Sequence, residues 1–320
     1  MFYLLNRNTR IQLFFILLLL VWSAITIFTK MDFISPYNQM ILFQLILKLA
    51  TSNPLLLKTL SLLILIVSTL GLIRYFKKQK FYEYTSLMPG IFFLLLINFG
   101  HYLQTFNPSL ITILFLTIVM MIFTPGASPS KMKNHTLTFG LLIATATLID
   151  FSAFGIVLFL IFIIATNSIS PVKDTIILFS GLALPYIVVI SVYYLCNKLS
   201  ILLESWQQLE FFSPIENFLS LSIINYMALA FYMLIIIIFL FRGRHYFENR
   251  LIKLRQAFTG IHIQYISMAT FMLFGGSVFM PALIYIAPST AEYMSISILK
   301  KRYRFLYDIL IITMLTLLWL

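Results

Sequence analysis

Long apolar runs, of about 14 to 21 residues and separated by short polar breaks, dominate this chain. Ile11–Thr29 and Ile223–Leu240 are the clearest of them. Roughly 20 consecutive apolar residues is the length at which a helix crosses a hydrocarbon core. In lipid, a helix satisfies its own backbone polar groups, and these runs lack the period-two alternation of barrel strands. About eleven such runs are present, near 11–29, 56–75, 86–100, 109–124, 136–149, 152–166, 176–196, 223–241, 258–277, 280–299 and 305–320. The pattern predicts an all-α, polytopic membrane protein, with residues 1–320 forming a single integral membrane domain.

One stretch departs from the simple pattern. Thr136–Thr166 is almost continuously apolar, and as one helix it would be about 46 Å long against a core of about 30 Å. A hairpin turning at "IDFSAFG" divides it into two arms and puts Asp150 at the turn, on the outer side.

Two further segments are too short to cross and too apolar for ordinary loops. In "NQMILFQLILKLATSN", Gln44, Lys48 and Thr51 share one helical stripe. In "KLSILLESWQQLEFFSPIENF", Glu204, Gln207 and Gln208 oppose Leu202, Trp206 and Leu209. Both are expected to be amphipathic helices lying in the membrane interface, with Trp206 at headgroup level.

Composition agrees with a membrane location. The chain is 61% hydrophobic and 10% charged, with a mean hydropathy of +0.99, whereas a soluble domain carries roughly a quarter charged residues. Arg7 and Arg10 precede the first run, as in a signal peptide. That run is longer than a usual signal core, and no small-x-small site follows in "TIFTKMDF", so it reads as a retained helix.

The net charge of +12 is distributed as a topology signal. With the N-terminus inside, all of the 22 lysines and arginines except Lys30, Lys48, Lys58 and Lys198 fall on the cytoplasmic side. The basic clusters then meet anionic lipid headgroups, and nucleic acid is not an expected partner. This orientation places the C-terminus in the periplasm of a bacterial inner membrane.

Chemistry-bearing residues are few. A single cysteine, Cys196, excludes an internal disulfide framework. No HExxH, CxxC, Walker A or GxGxxG pattern occurs, so no cofactor is indicated. Isolated carboxylates offer a divalent cation no specific site.

Asp32 lies in "KMDFISPYNQM", either as a solvated acid or as a carboxylate held at the boundary to act as general base toward a hydroxyl. Asp150 reads as a helix cap, an ion or proton site, or a catalytic acid. His101 is an interfacial histidine, a proton shuttle or a phosphate contact. His262 and Gln264 are explained by helix–helix hydrogen bonds, and Asp308 by a helical ion pair with Arg304. In "APSTAEYMS", Ser289 to Glu292 has the form of a capping box. It predicts a helix that breaks at Pro288 and restarts there. Broken helices at membrane depth line cavities, so Glu292 is a candidate substrate site.

The first run, the acid soon after it, the short amphipathic helix before the second run, and the later acid at Asp150 together resemble the GT-C membrane glycosyltransferases. The resemblance covers about residues 1–170, with 1–175 as the family-like core and 176–320 as additional helices. Many family members have paired acids in the first loop, where this chain has Asp32 followed by "FIS". The resemblance implies a polyprenyl-phosphate sugar donor, with Asp32 as catalytic acid or base and Asp150, His101 and Lys48 in support. The whole chain also resembles polytopic inner-membrane proteins of Bacteroidota, a likeness that implies no activity.

Two other classes stay open. One is a transporter or flippase built around Glu292, with Pro288, Pro185 and Pro89 marking kinked helices. The other is a non-catalytic subunit of an envelope complex.

Overall fold

The computed structural model describes residues 9–33, 40–51, 53–79, 86–99, 103, 105–122, 129–167, 170–207 and 279–297. Among these residues the architecture is almost entirely helical. The order is α1 (Thr9–Lys30), β1 (Asp32–Phe33), α2 (Ile41–Thr51), α3 (Pro54–Gln79), α4 (Met88–Phe99), β2 (Thr105–Phe106), α5 (Pro108–Ile122) and α6 (Pro129–Thr147). A 3₁₀ turn (Phe151–Phe154) leads into α7 (Gly155–Asn167), followed by α8 (Pro171–Leu195), α9 (Leu199–Gln207) and α10 (Phe279–Ser297). The expected runs near 223–241, 258–277 and 305–320 lie outside the described residues, as do His101, His262, Gln264 and Asp308.

Proline sets many of the helix starts. Helices α3, α5, α6 and α8 all begin on one, because the first helical position needs no N–H and suits proline's fixed φ. Before α5, the Asn107 side-chain carbonyl accepts the Ser109 N–H at 3.1 Å, an ordinary N-cap. The α8–α9 turn uses Asn197 at φ 54, a left-handed position that asparagine tolerates.

Helix α4 is the centre of the bundle. It is apolar all round and its residues are buried on every side, as expected of a core helix. Helices α1, α3 and α10 pack around it. Protein groups take orphan donors at its N-terminus. Gln12 Oε1 accepts the Leu87 N–H at 2.8 Å, and Ser86 Oγ accepts that of Met88 at 3.3 Å. Ser23 of α1 and Asn98 of α4 exchange buried hydrogen bonds at 2.8 and 3.2 Å, the polar link expected between helices that share an apolar surround.

The outward faces are apolar. Leu17, Val21 and Ile25 on α1, Leu63 and Leu70 on α3, and Ile176, Ile187 and Val188 on α8 are all exposed. Among the described residues three helices, α1, α3 and α8, are long and apolar enough to cross a membrane. An apolar exterior on helices of that length matches a lipid surround rather than water.

Helices α6 and α8 meet at two glycines. A Cβ on Gly140 would lie 2.4 Å from the Leu178 carbonyl oxygen, and one on Gly181 would lie 2.6 Å from that of Leu137. The two backbones touch directly, as small residues allow between membrane helices.

The apolar stretch 136–166 is interrupted where expected, between Thr147 and Gly155. Both amphipathic segments contain helices, α2 and α9. Helix α2 does more than cover a surface: Phe43 is buried and stacks on Phe106 at 5.5 Å. Its Leu42 N–H reaches the Leu148 carbonyl at 3.3 Å.

The expected break at Pro288 is not observed. Helix α10 runs unbroken from Phe279 to Ser297 with Pro288 inside it, so Ser289–Glu292 is helix interior and forms no capping box. Proline removes one hydrogen bond and crowds one carbonyl. Burial against α4 and α5 leaves the remaining backbone groups no partner but the helix itself. Likewise Pro185 is interior to α8, and Pro89 is the second residue of α4, a position that demands no kink.

Candidate functional site

The turn after α6 holds Asp150, which is buried. Its Oδ2 accepts hydrogen bonds from Ser109 Oγ at 2.7 Å and from the Tyr285 hydroxyl at 2.5 Å. Thr112 lies against the same phenol. The Asp150 carbonyl also accepts the Ala153 N–H at 3.0 Å, opening the 3₁₀ turn. One carboxylate thus fastens the α6–α7 turn, the start of α5 and the middle of α10. Replacing Asp150 with alanine strands two buried donors, each worth about 1–3 kcal/mol. Asp150→Ala is therefore expected to lower stability about twice as much as Ser109→Ala, measured by thermal unfolding in detergent. Equal losses would mean that Tyr285 gains nothing from the carboxylate.

Two turns along α10 from Tyr285 is Glu292. It is wholly buried, 0% exposed, and neither carboxylate oxygen has a hydrogen-bond partner among the described residues. Tyr75, buried near the end of α3, is within electrostatic reach of it. Ser289, one turn before Glu292, is also wholly buried with an unpartnered hydroxyl. An ionised carboxylate in such a place costs several kcal/mol unless a proton or cation accompanies it.

The remaining expected residues are more scattered. Lys48 is exposed on α2. Asp32 is in β1, whose two residues pair in parallel with β2, Asp32 opposite Thr105 and Phe33 opposite Phe106. Four residues beyond Thr105 comes Ser109, the donor to Asp150. Strands lie about 4.8 Å apart and four residues span at most about 14 Å, so the Asp32 and Ser109 backbones lie within about 19 Å. The two acids therefore belong to the same end of the bundle. Among the described residues, no three His, Cys, Asp or Glu side chains form a metal-binding group.

Sequence reasoning missed Ser109, Tyr285 and Tyr75. The Asn107-Pro108-Ser109 helix start and the seven-residue offset of Tyr285 from Glu292 were the available signals. Nothing in the sequence paired Tyr285 with Asp150, 135 positions away.

These features define a helical protein with helices of membrane-spanning length and, among the described residues, three buried acids, Asp150, Asp174 and Glu292. No protein-family model, curated protein or solved structure matches the chain.

Proposed function

We propose that this chain is a multi-pass protein of a bacterial inner membrane, with about eleven spans and a cytoplasmic N-terminus. Its work turns on Glu292 carrying a proton or a small cation, as in a secondary transporter or flippase. One observation supports this above the rest: a fully enclosed carboxyl whose oxygens have no hydrogen-bond partner among the described residues, on a helix packed against the central α4. A group that costs stability and anchors nothing is explained by a ligand that comes and goes.

A hydrophobic carbodiimide tests this. It adds to a protonated membrane-embedded carboxyl and leaves a stable N-acylurea, which mass spectrometry can locate. In membranes containing the full chain, Glu292 should be modified. Sodium should suppress the labelling if the cargo is a cation and leave it unchanged if it is a proton. A Glu292 that stays unmodified across pH while the reagent labels other intramembrane acids would falsify the reading.

A second reading is glycosyl transfer from a polyprenyl-phosphate sugar at the outer face, with Asp32 as acid or base and Asp150, His101 and Lys48 in support. Its support is the β1–β2 clip, which ties Asp32 to the strand that leads to Asp150's donor. Membranes carrying the protein should then release polyprenyl phosphate from such a donor, and Asp32→Asn should stop the release while Glu292→Gln should not.

A further inference from the structure

Tyr285, Ser289 and Glu292 stand at i, i+4 and i+7 on α10 and so share one face of that helix. They climb about 10.5 Å from the first to the last. The upper end meets Asp150, through the Tyr285 hydroxyl. The lower end is the unpartnered carboxyl of Glu292, with the Tyr75 phenol nearby.

With Ser68 of α3, Ser289 is one of two buried serines among the described residues whose hydroxyl has no hydrogen-bond partner. A serine or threonine inside a helix commonly returns its hydroxyl to the carbonyl four residues back. Thr290 does so to Ile286 at 2.9 Å and Ser295 to Ala291 at 2.7 Å. Ser23, Ser61 and Thr69 on α1 and α3 do the same. The Ser289 hydroxyl does not, although it is buried. Pro288 beside it has no N–H for the Ile284 carbonyl, which releases that acceptor from the helix's own ladder. The Ser289 hydroxyl and the Glu292 carboxyl, both without a hydrogen-bond partner among the described residues, therefore share the face of α10 that carries Tyr285.

We infer that this stripe is a proton path, along which Asp150, Tyr285 and Ser289 load and unload Glu292 from the outer end of the bundle. Each hydroxyl accepts a proton on a lone pair as it gives up its own, so the proton lost by one carboxyl is gained by the other and no charge is left between them. Gaps wider than a hydrogen bond are bridged by water, which the polar atoms of the stripe can hold. The inference rests on Glu292 being the proton-carrying acid proposed above.

The test is the rate at which the Glu292 carboxyl exchanges hydrogen for deuterium. The full chain in lipid vesicles is transferred to D₂O and followed by infrared spectroscopy, the carbonyl stretch of Glu292 being assigned as the band missing from Glu292→Gln. Tyr285→Phe keeps the ring and removes the relay hydroxyl, and Ser289→Ala is a second, milder variant. Exchange should slow about tenfold or more in Tyr285→Phe, equivalent to about 1.4 kcal/mol on the barrier, and measurably in Ser289→Ala. Wild-type rates in both variants, with the Glu292 band present, would overturn the path and leave the Glu292 site standing. A wild-type spectrum with no carboxyl band assignable to Glu292 would remove the proton-carrying site and the path together, leaving only a cation at Glu292. Should Tyr285→Phe fail to fold, Ser289→Ala alone decides: an unchanged rate overturns the path.

Discussion

Glu292→Leu is expected to make this protein more stable and to abolish its function. The carboxyl is fully enclosed and unpartnered, and removing such a group from an apolar interior relieves a penalty of about 2 kcal/mol or more. Leucine matches the first part of the glutamate side chain and adds nothing that needs a partner. Glu292→Gln is the informative comparison. Its amide is still polar and still enclosed, so function should be lost with little gain in stability. Thermal unfolding in detergent, followed by tryptophan fluorescence, separates the two variants. A Glu292→Leu protein less stable than wild type would mean that the acid holds the bundle together, and the functional proposal would lose its basis. A residue whose removal stabilises the fold is kept for another reason, the usual trade between stability and activity.

The second large effect is expected at the α6–α8 crossing. In Gly140→Val, the new side chain starts 2.4 Å from the Leu178 carbonyl oxygen and 2.9 Å from the Gly181 Cα. Those atoms are backbone and cannot rotate away, so the helices must separate along their contact. Overpacking of this kind costs about 3 kcal/mol, and Tyr186 of α8 stands to lose its 2.8 Å hydrogen bond to Thr147 of α6. Gly90→Ala provides the contrast. Its Cβ meets Ile73 Cδ1 at 2.7 Å, the mobile end of a side chain, and should cost about 1 kcal/mol. Unfolding temperatures of the two variants test the ranking. Equal losses would show that the helices at the glycine crossing separate as easily as an isoleucine turns.

The sequence carried the local decisions because local physics makes them. Roughly twenty apolar residues form a helix in any lipid-like surround, and proline at the first helical position marks where α3, α5, α6 and α8 begin. The interruption near Asp150 was legible because one helix over 136–166 would be too long for a bilayer. The amphipathic spacing around Gln44 and Glu204 was legible too, and α2 and α9 occupy those segments.

Pro288 was misjudged for a physical reason. Its local cost is real, but a helix buried against α4 and α5 has no water to take its backbone groups, so continuity wins over the break that proline favours in a solvated chain. Asp150 illustrates the same limit. Its place at a turn follows from nearby residues, whereas its bond to Tyr285 depends on which helices come to lie side by side. The sequence therefore determined the helices among the described residues, their apolar character and three candidate acids, Asp32, Asp150 and Glu292. Tertiary structure alone decided that Asp150 is fastened and Glu292 is left unpartnered, because a buried polar group takes its character from the neighbours packing brings to it, and those neighbours are distant in the chain.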